Sequence, residues 1–305
     1  MVLIKRILII FFLLIPISNS FAAMVTHNQT ISFETGSLIA GIAFNADGTK
    51  VFTTYANSTN LNEYNLSTPY DISTRTYAGD SERCTLDAGT GFAIYDLEFS
   101  SDGMYFFVVT RNAGSNSADG DVAYRYDLTS PYDVSTCIFA HKTTGLDSAT
   151  YTNGSEAGNY SGSLRHHRVQ GIEINDDGTK LFLTFMDAIG NGVGARLYEY
   201  TLSTPYDLRT LSIVTTAGIE IPDSTFNGVE NPAGMRFSAN GKRIFIVSHA
   251  DNNGVRSSIT QISLSKAYDT SSFTLDGRLN VNSGLSPSND EPRGVAFSAN
   301  GLKLY

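Results

Sequence analysis

The sequence of 305 residues contains no tryptophan, only two cysteines and only five histidines. Neither cysteine has a histidine at the spacing of zinc ligands, so we do not expect a zinc site. The G-x-S-x-G sequence of serine nucleophiles and the G-x-x-x-x-G-K-[ST] sequence of phosphate-binding loops are also absent. Sequence support for nucleophilic catalysis and for nucleotide binding is therefore missing.

Positive charge is scarce, since 21 Lys and Arg stand against 30 Asp and Glu, which gives a formal net charge of -9. Two of those cations, Lys5 and Arg6, precede an apolar run from Ile7 to Ile17, and Ser20-Phe21-Ala22 has small residues where a signal peptidase cleaves. We therefore predict a signal peptide over residues 1–22. Its removal takes two positive charges from -9 and leaves -11.

The negative net charge and the predicted signal peptide indicate which partners and which location to expect. A strongly acidic mature chain repels nucleic acid and anionic lipid, so neither is expected as a partner. The apolar run is shorter than the roughly 20 residues needed to cross a bilayer, so we expect no membrane insertion after signal cleavage, with an uncleaved anchor as the alternative. The predicted location is secreted or periplasmic.

Helical periodicity is missing from the mature chain, and a different period replaces it. The stretch G-I-A-F-N-A-D-G-T-K-V-F, from Gly41 to Phe52, returns in related form from Tyr95, Gly171, Gly234 and Gly294. Alternating apolar residues followed by Asp-Gly or Asn-Gly predict a β-hairpin, because glycine takes positive φ at no steric cost. Each copy thus supplies two strands.

A second repeat follows each of the first four hairpins. It predicts a third strand that a Pro-Tyr-Asp turn ends, although the fourth copy has lost the proline. A looser fourth strand fits before the next hairpin, for example Leu211 to Thr215. The copies are Asn60–Thr74, Val122–Thr136, Arg196–Thr210 and Ser258–Ser272.

Four antiparallel strands per repeat predict an all-β fold, a β-propeller, as one domain over residues 23–305. The chain holds four complete blades and the start of a fifth, and a strand at Thr30–Phe33 is expected to help close the ring. Because the fifth unit has only two strands, we expect a fragment of a six- to eight-bladed ring, with five blades as the alternative. The predicted buried positions are Phe44, Phe99, Ile174, Phe237 and Phe297.

The pattern F-[NS]-x-[DN]-G-x-[KR]-[VIL]-[FY] in these repeats resembles the blade motif of YVTN-type and related exported bacterial β-propeller proteins. The resemblance covers nearly the whole mature chain and implies the fold. It leaves the activity open, since that family includes lactonase-like enzymes, surface-layer proteins and binding modules. Quinone-cofactor propellers use a tryptophan docking motif, which this chain lacks, and we predict no cofactor.

In such a propeller, the connections between second and third strands and those between blades emerge on one face, here called the loop face. An insertion from Gly145 to Gln170 ends in Arg165-His166-His167-Arg168, which places cations near the channel mouth. They are suited to an anionic group; a solvated polar loop is the alternative. Further residues expected on this face are Arg111, Asp187, His249, Asp251 and Arg293.

A metal site has weaker support. Glu98 and Glu173 occupy matching positions on innermost strands and could begin a metal or acid–base site. Arg236 takes the same position in the fourth unit, so a charge cluster explains the pattern equally well. Calcium is possible through Asp187 and Asp251, which are otherwise turn formers.

The two cysteines, Cys84 and Cys137, lie in consecutive units of a chain expected in an oxidising compartment. A disulfide between them and a pair of unbridged thiols are both compatible with the sequence.

Two classes of function remain. One is an exported binding scaffold that recognises a protein or glycan through the loop face. The other is a metal-dependent lactonase-like hydrolase with its site at the channel mouth. Dissimilar polar loops favour the first, because a hydrolase needs several aligned ligands and only Glu98 and Glu173 align.

Overall fold

The protein is described by a computed structural model over residue 33 and residues 39–56, 58–86, 92–112, 122–143, 146, 168–186, 195–214, 219–221, 231–249, 257–280 and 293–305. The predicted signal peptide lies outside these ranges. Within them the regular structure consists of β-strands and short 3-10 turns, and no helix there is long and apolar enough to cross a bilayer.

Four antiparallel sheets follow one another along the chain, and four strands in each pair in chain order. Each sheet matches one predicted unit, and we number them blades 1 to 4. Blade 1 contains β1 (Ile39–Phe44), β2 (Lys50–Tyr55), β3 (Asn60–Leu66), β4 (Arg75–Tyr77) and the short β5 (Cys84–Thr85), which pairs with β3. Blade 2 contains β6 (Phe92–Phe99), β7 (Tyr105–Asn112), β8 (Val122–Asp127) and β9 (Ile138–Lys142). Blade 3 contains β10 (Arg168–Ile174), β11 (Lys180–Met186), β12 (Arg196–Leu202), β13 (Leu211–Ile213) and the short β14 (Ile219–Glu220), which pairs with β12. Blade 4 contains β15 (Asn231–Phe237), β16 (Arg243–His249), β17 (Ser258–Leu264) and β18 (Phe273–Asn280).

Within each blade, the glycine of the hairpin and the tyrosine of the turn that follows the third strand pack against each other. In blade 3, Gly178 and Tyr206 both have positive φ, which is +69° for the glycine. The Tyr206 ring packs against Gly178, and the Tyr206 N–H donates a hydrogen bond to the Gly178 carbonyl at 2.8 Å. A Cβ on Gly178 would lie 2.6 Å from that ring. Asp207 then accepts the Arg209 N–H at 3.0 Å and closes the turn. The same pairing of tyrosine on glycine recurs in blades 1, 2 and 4.

The hydrophobic core is divided into layers between neighbouring blades. Phe52 of blade 1 packs on Phe99 of blade 2 with ring centroids 4.8 Å apart, and Phe182 of blade 3 packs on Phe237 of blade 4 at 4.6 Å. The predicted strand phase is confirmed where Phe99, Ile174 and Phe237 are buried, whereas Phe44 and Phe297 are half-buried. The β-propeller fold therefore follows from burial between sheets.

Residues 293–305 form a fifth unit, here unit 5. An isolated bridge joins Phe297 and Leu304, and Ala296 and Tyr305 exchange backbone hydrogen bonds. The Tyr305 ring lies 4.7 Å from that of Phe44. Unit 5 thus packs against blade 1. This contact is the one that a ring closed by five units would make, whereas a ring of six to eight blades would place further blades between unit 5 and blade 1. The larger number of blades stays a prediction.

A disulfide and an aromatic contact stabilise the outer part of the ring. Cys84 at the edge of blade 1 and Cys137 of blade 2 form a disulfide with Cα atoms 5.9 Å apart, so one covalent bond joins consecutive blades. Phe33 packs its ring edge-on against Tyr64 of β3 at 5.1 Å. The rest of the predicted strand at Thr30–Phe33 lies outside the described residues.

Candidate functional site: a charge cluster on the propeller axis

The innermost strands approach one another closely around the axis, and four of the five units have glycine at one repeated position. A Cβ on Gly41 would lie 2.8 Å from Leu97 N, and one on Gly294 would lie 2.9 Å from Ile42 N. Two positions further along each strand, five equivalent residues surround the axis. They are Ala43, Glu98, Glu173, Arg236 and Ala296.

Arg236 of β15 fills the centre of this ring. It is only 7% exposed, although its side chain is charged. Its guanidinium donates hydrogen bonds to innermost backbone carbonyls of all four blades. The distances are 3.2 Å to Ile42 O, 2.5 Å to Leu97 O, 3.3 Å to Ile172 O and 2.7 Å to Met235 O. The planar fork of five N–H donors makes arginine suited to this convergent set of acceptors.

Alanine at the equivalent positions of blade 1 and unit 5 leaves the space that the arginine side chain needs. Ala43 and Ala296 are both buried. A long side chain at either position would compete with Arg236 for the axis. The combination of two alanines, two glutamates and one arginine around the ring is thus sterically consistent.

Three carboxyl groups surround the guanidinium. Arg236 lies 3.0 Å from Glu98 Oε2, 3.1 Å from Glu173 Oε2 and 3.6 Å from Asp96 Oδ2. Glu173 also accepts the Phe237 N–H of blade 4 at 3.0 Å. The cluster therefore joins blades 2, 3 and 4 through side chains.

Burial governs the protonation of these carboxyl groups. It raises the pKa of Asp96 to about 7, although Arg236 and two backbone N–H groups act in the opposite direction. Burial also raises the pKa of Glu98, and burial together with the charge of Glu98 raises that of Glu173 well above its usual range. For Arg236 burial disfavours the charge, but the carboxylates outweigh it and raise its pKa.

Asp96 is the member of this cluster that we did not predict. It stands at the position of Gly41, Gly171 and Gly234, and it is fully buried. Its carboxyl accepts the Leu97 N–H at 2.9 Å and, across the blade boundary, the Ile172 N–H at 3.1 Å. The departure from glycine in aligned repeats was the signal that could have found it.

The predicted loop-face residues are only partly described. Arg165, His166, His167, Asp187 and Asp251 lie outside the described ranges. Three others lie at the strand ends that face the loop face. Arg111 is the second-last residue of β7, Arg168 is the first residue of β10 and His249 is the last residue of β16. Of Arg293 the side chain is described, and its guanidinium carbon lies 5.2 Å from the centroid of the Tyr95 ring. Their binding role stays a prediction.

The weak metal candidates have a different environment from the one a metal needs. Glu98 and Glu173 come together as aligned, but both face the Arg236 guanidinium. Across the described ranges, no group of three or more His, Cys, Asp or Glu residues is arranged to hold a metal ion. The arrangement is that of the charge cluster, the alternative that the sequence left open.

Comparison with known proteins adds little beyond the fold. No protein-family model and no curated protein matches the chain. Among solved structures, a putative 6-phosphogluconolactonase from Bacteroides uniformis is 13% identical, with a TM-score of 0.43 over 78% of this chain and 55% of the other. The periplasmic gluconolactonase PpgL from Pseudomonas aeruginosa is 13% identical, with a TM-score of 0.44 over 79% and 53%. A chain of the nidogen/laminin complex is 12% identical, with a TM-score of 0.41 over 85% and 68%.

This chain spans about half the length of the two lactonases. Likenesses this weak carry no argument about activity. The class that the strand pairing defines is a β-propeller.

Proposed function

We propose that the chain is an exported recognition module that binds a protein or glycan through the loop face of its propeller, in the manner of the binding members of the YVTN-like proteins that its repeats resemble. A secreted or periplasmic location, with the leader removed, belongs to the same proposal. The rival is a metal-dependent lactonase-like hydrolase.

The position of Arg236 carries this proposal. A hydrolase of the rival kind needs carboxylates that are free to ligate a divalent cation at the channel mouth. Here Glu98 and Glu173 direct oxygens at a guanidinium about 3 Å away, so a metal ion would have to displace a cation that four backbone carbonyls also hold. That exchange is unfavourable, because the freed arginine would remain buried.

The loop face supplies the complementary argument. The framework of the blades is regular, whereas the connections between second and third strands differ in length and composition. Variable polar loops on a rigid scaffold are typical of binding surfaces. The predicted loop-face cations from Arg165 to Arg168 support a preference for ligands with an anionic group, because arginine forks bind carboxylates in a bidentate manner.

The test uses the complete exported protein. Its melting temperature is measured with calcium, with other divalent ions and with a chelator, and its binding is measured on glycan and peptide arrays. We expect no metal-dependent shift, and specific array binding that His166→Ala, His167→Ala and Arg168→Ala together weaken without changing the melting temperature. A metal-dependent rise that Glu173→Gln abolishes would overturn this proposal and favour the rival metal-dependent reading.

A further inference from the structure

The axis cluster contains more negative than positive charge. Asp96, Glu98 and Glu173 face the single guanidinium of Arg236. If all four groups were ionised, this largely buried cluster would carry two uncompensated negative charges. Removing such charges from water is costly, and buried groups change protonation state to avoid it.

The guanidinium is also shared. Its terminal nitrogens donate to four backbone carbonyls, of Ile42, Leu97, Ile172 and Met235. These carbonyl dipoles point their negative ends at the same cation, so part of its charge is already compensated before any carboxylate is counted. The three carboxyl groups are therefore less well neutralised than a simple count of charges suggests.

Glu98 and Glu173 lie 3.0 Å and 3.1 Å from the two terminal nitrogens of one guanidinium, so their carboxyl groups are neighbours, and a hydrogen bond between them would relieve their mutual repulsion. Two ionised carboxylates are acceptors only and cannot form that bond, whereas a carboxyl group and a carboxylate can. Among the described residues, the other titratable groups close to the pair do not provide a second cation. They are Asp96, Asp176 of blade 3, and the hydroxyls of Tyr132 and Tyr268. Blade 1 and unit 5 contribute alanine at the ring position.

We propose that Glu98 and Glu173 hold one proton between them at neutral pH, and that its release in alkaline solution weakens the contact of blades 2, 3 and 4 at the axis. The propeller thus contains a pH-sensitive contact at its centre. This inference is independent of the proposed recognition function.

The direction of the pH effect follows from linkage. Both pKa values are raised in the folded protein, so between the ordinary glutamate value and the folded value the native state holds more protons than the unfolded chain. Stability is therefore greatest on the acidic side of that window and falls as pH rises through it. Asp96 acts in the same direction, but its effect ends near its pKa of about 7.

The experiment compares melting temperature against pH for the wild type, Glu98→Gln, Glu173→Gln, Asp96→Asn and the control Glu82→Gln, which alters a carboxyl on the outer 3-10 turn of blade 1. Above neutrality we expect the wild type, Asp96→Asn and the control to lose roughly 3 °C for each pH unit within the titration window of the pair. Either glutamine variant should lose much less, because an amide donates the hydrogen bond that the proton provides. A wild type with no alkaline fall, or glutamine variants that fall as steeply, would overturn the proposal.

A second measurement protects against variants that fail to fold. Glutamate side-chain carboxyl carbons are labelled in the wild-type protein and followed by NMR from acidic to alkaline pH. We expect the chemical shifts of Glu98 and Glu173 to titrate together, at pH values well above the ordinary range for a glutamate pKa. If the resonances of Glu98 and Glu173 show that both carboxyl groups are fully ionised at neutral pH, the proposal is overturned without any variant.

Discussion

Lys180 of blade 3 donates a hydrogen bond from Nζ to the backbone carbonyl of Tyr268 in blade 4, at 2.6 Å. That tyrosine has positive φ, in the turn that lies on the hairpin glycine of its own blade. Bonds from a cationic side chain to the same turn carbonyl join the other blades. They run from Lys50 to Tyr132 at 3.3 Å, from Arg125 to Tyr206 at 3.0 Å, and from Lys303 of unit 5 to Tyr70 of blade 1 at 2.9 Å.

The first prediction concerns Lys180→Met. Lys180 also pairs at 2.5 Å with Glu199, which is buried and would lose its cation. Because Glu199 keeps two hydrogen bonds from Thr270, we expect a loss of about 2 kcal/mol in the free energy of unfolding by denaturant. Lys242→Met, at an exposed turn residue, is the matched control and should change little. Equal effects of the two variants would show that the bond between blades has no energetic role.

The second prediction separates backbone strain from ring contact at the hairpin glycines. Gly178 and Gly301 have φ of +69° and +68°. Of the two, only Gly178 has a tyrosine ring against it, and no atom of the described residues lies within 4 Å of a Cβ on Gly301. Gly301→Ala should cost about 1 kcal/mol from the left-handed backbone alone. Gly178→Ala should cost about 2 to 4 kcal/mol, because the methyl group also displaces Tyr206. Similar values for both would mean that the ring adapts freely.

The repeat made most of the blade predictable, because strand alternation and turn chemistry are local. Asp-Gly and Asn-Gly marked the hairpins, and Pro-Tyr-Asp marked the end of the third strand in the positions that the structure gives them. What the turn tyrosine does was not predictable from the same pattern. Its positive φ and its place on the glycine arise from packing between residues that are 22 to 29 positions apart.

The axis cluster was predictable only in part, for a related reason. Aligning the repeats placed Glu98, Glu173 and Arg236 at one level, which was enough to propose a charge cluster. The alignment could not show that the arginine reaches four blades, since that depends on the space beside Ala43 and Ala296. The loop-face prediction has no such support, because each connection differs and no repeated neighbour constrains it.

The third prediction concerns the disulfide between Cys84 and Cys137. It closes a loop with a sequence separation of 53 residues, and the loss of that constraint on the unfolded chain should cost about 4 kcal/mol. We expect a reductant to lower the denaturant midpoint of the wild type and to leave that of the double variant Cys84→Ala, Cys137→Ala unchanged. Alkylation followed by mass spectrometry checks the pairing directly. Two freely alkylated thiols in the unreduced protein would contradict it.

The last prediction tests whether Arg236 holds the ring together as a cation or as a space-filling side chain. Arg236→Met keeps much of the volume but removes the charge and the donors, and it leaves the buried Asp96 and Glu173 and the partly buried Glu98 without a counter-ion. Removing one partner of a buried ionic network costs about 3 to 5 kcal/mol, so we expect a loss of that size in the free energy of unfolding at neutral pH. The loss should be smaller in mild acid, where the carboxyl groups are protonated.

Adding Glu98→Gln and Glu173→Gln to Arg236→Met removes most of the stranded charge, so this triple variant should recover part of the lost stability. The remaining deficit would combine the lost hydrogen bonds from Arg236 to the four carbonyls, which methionine cannot make, with the cost of leaving buried Asp96 without a counter-ion. If Arg236→Met is as stable as the wild type, or if the triple variant is no better than the single one, the charge of Arg236 is not what stabilises the axis.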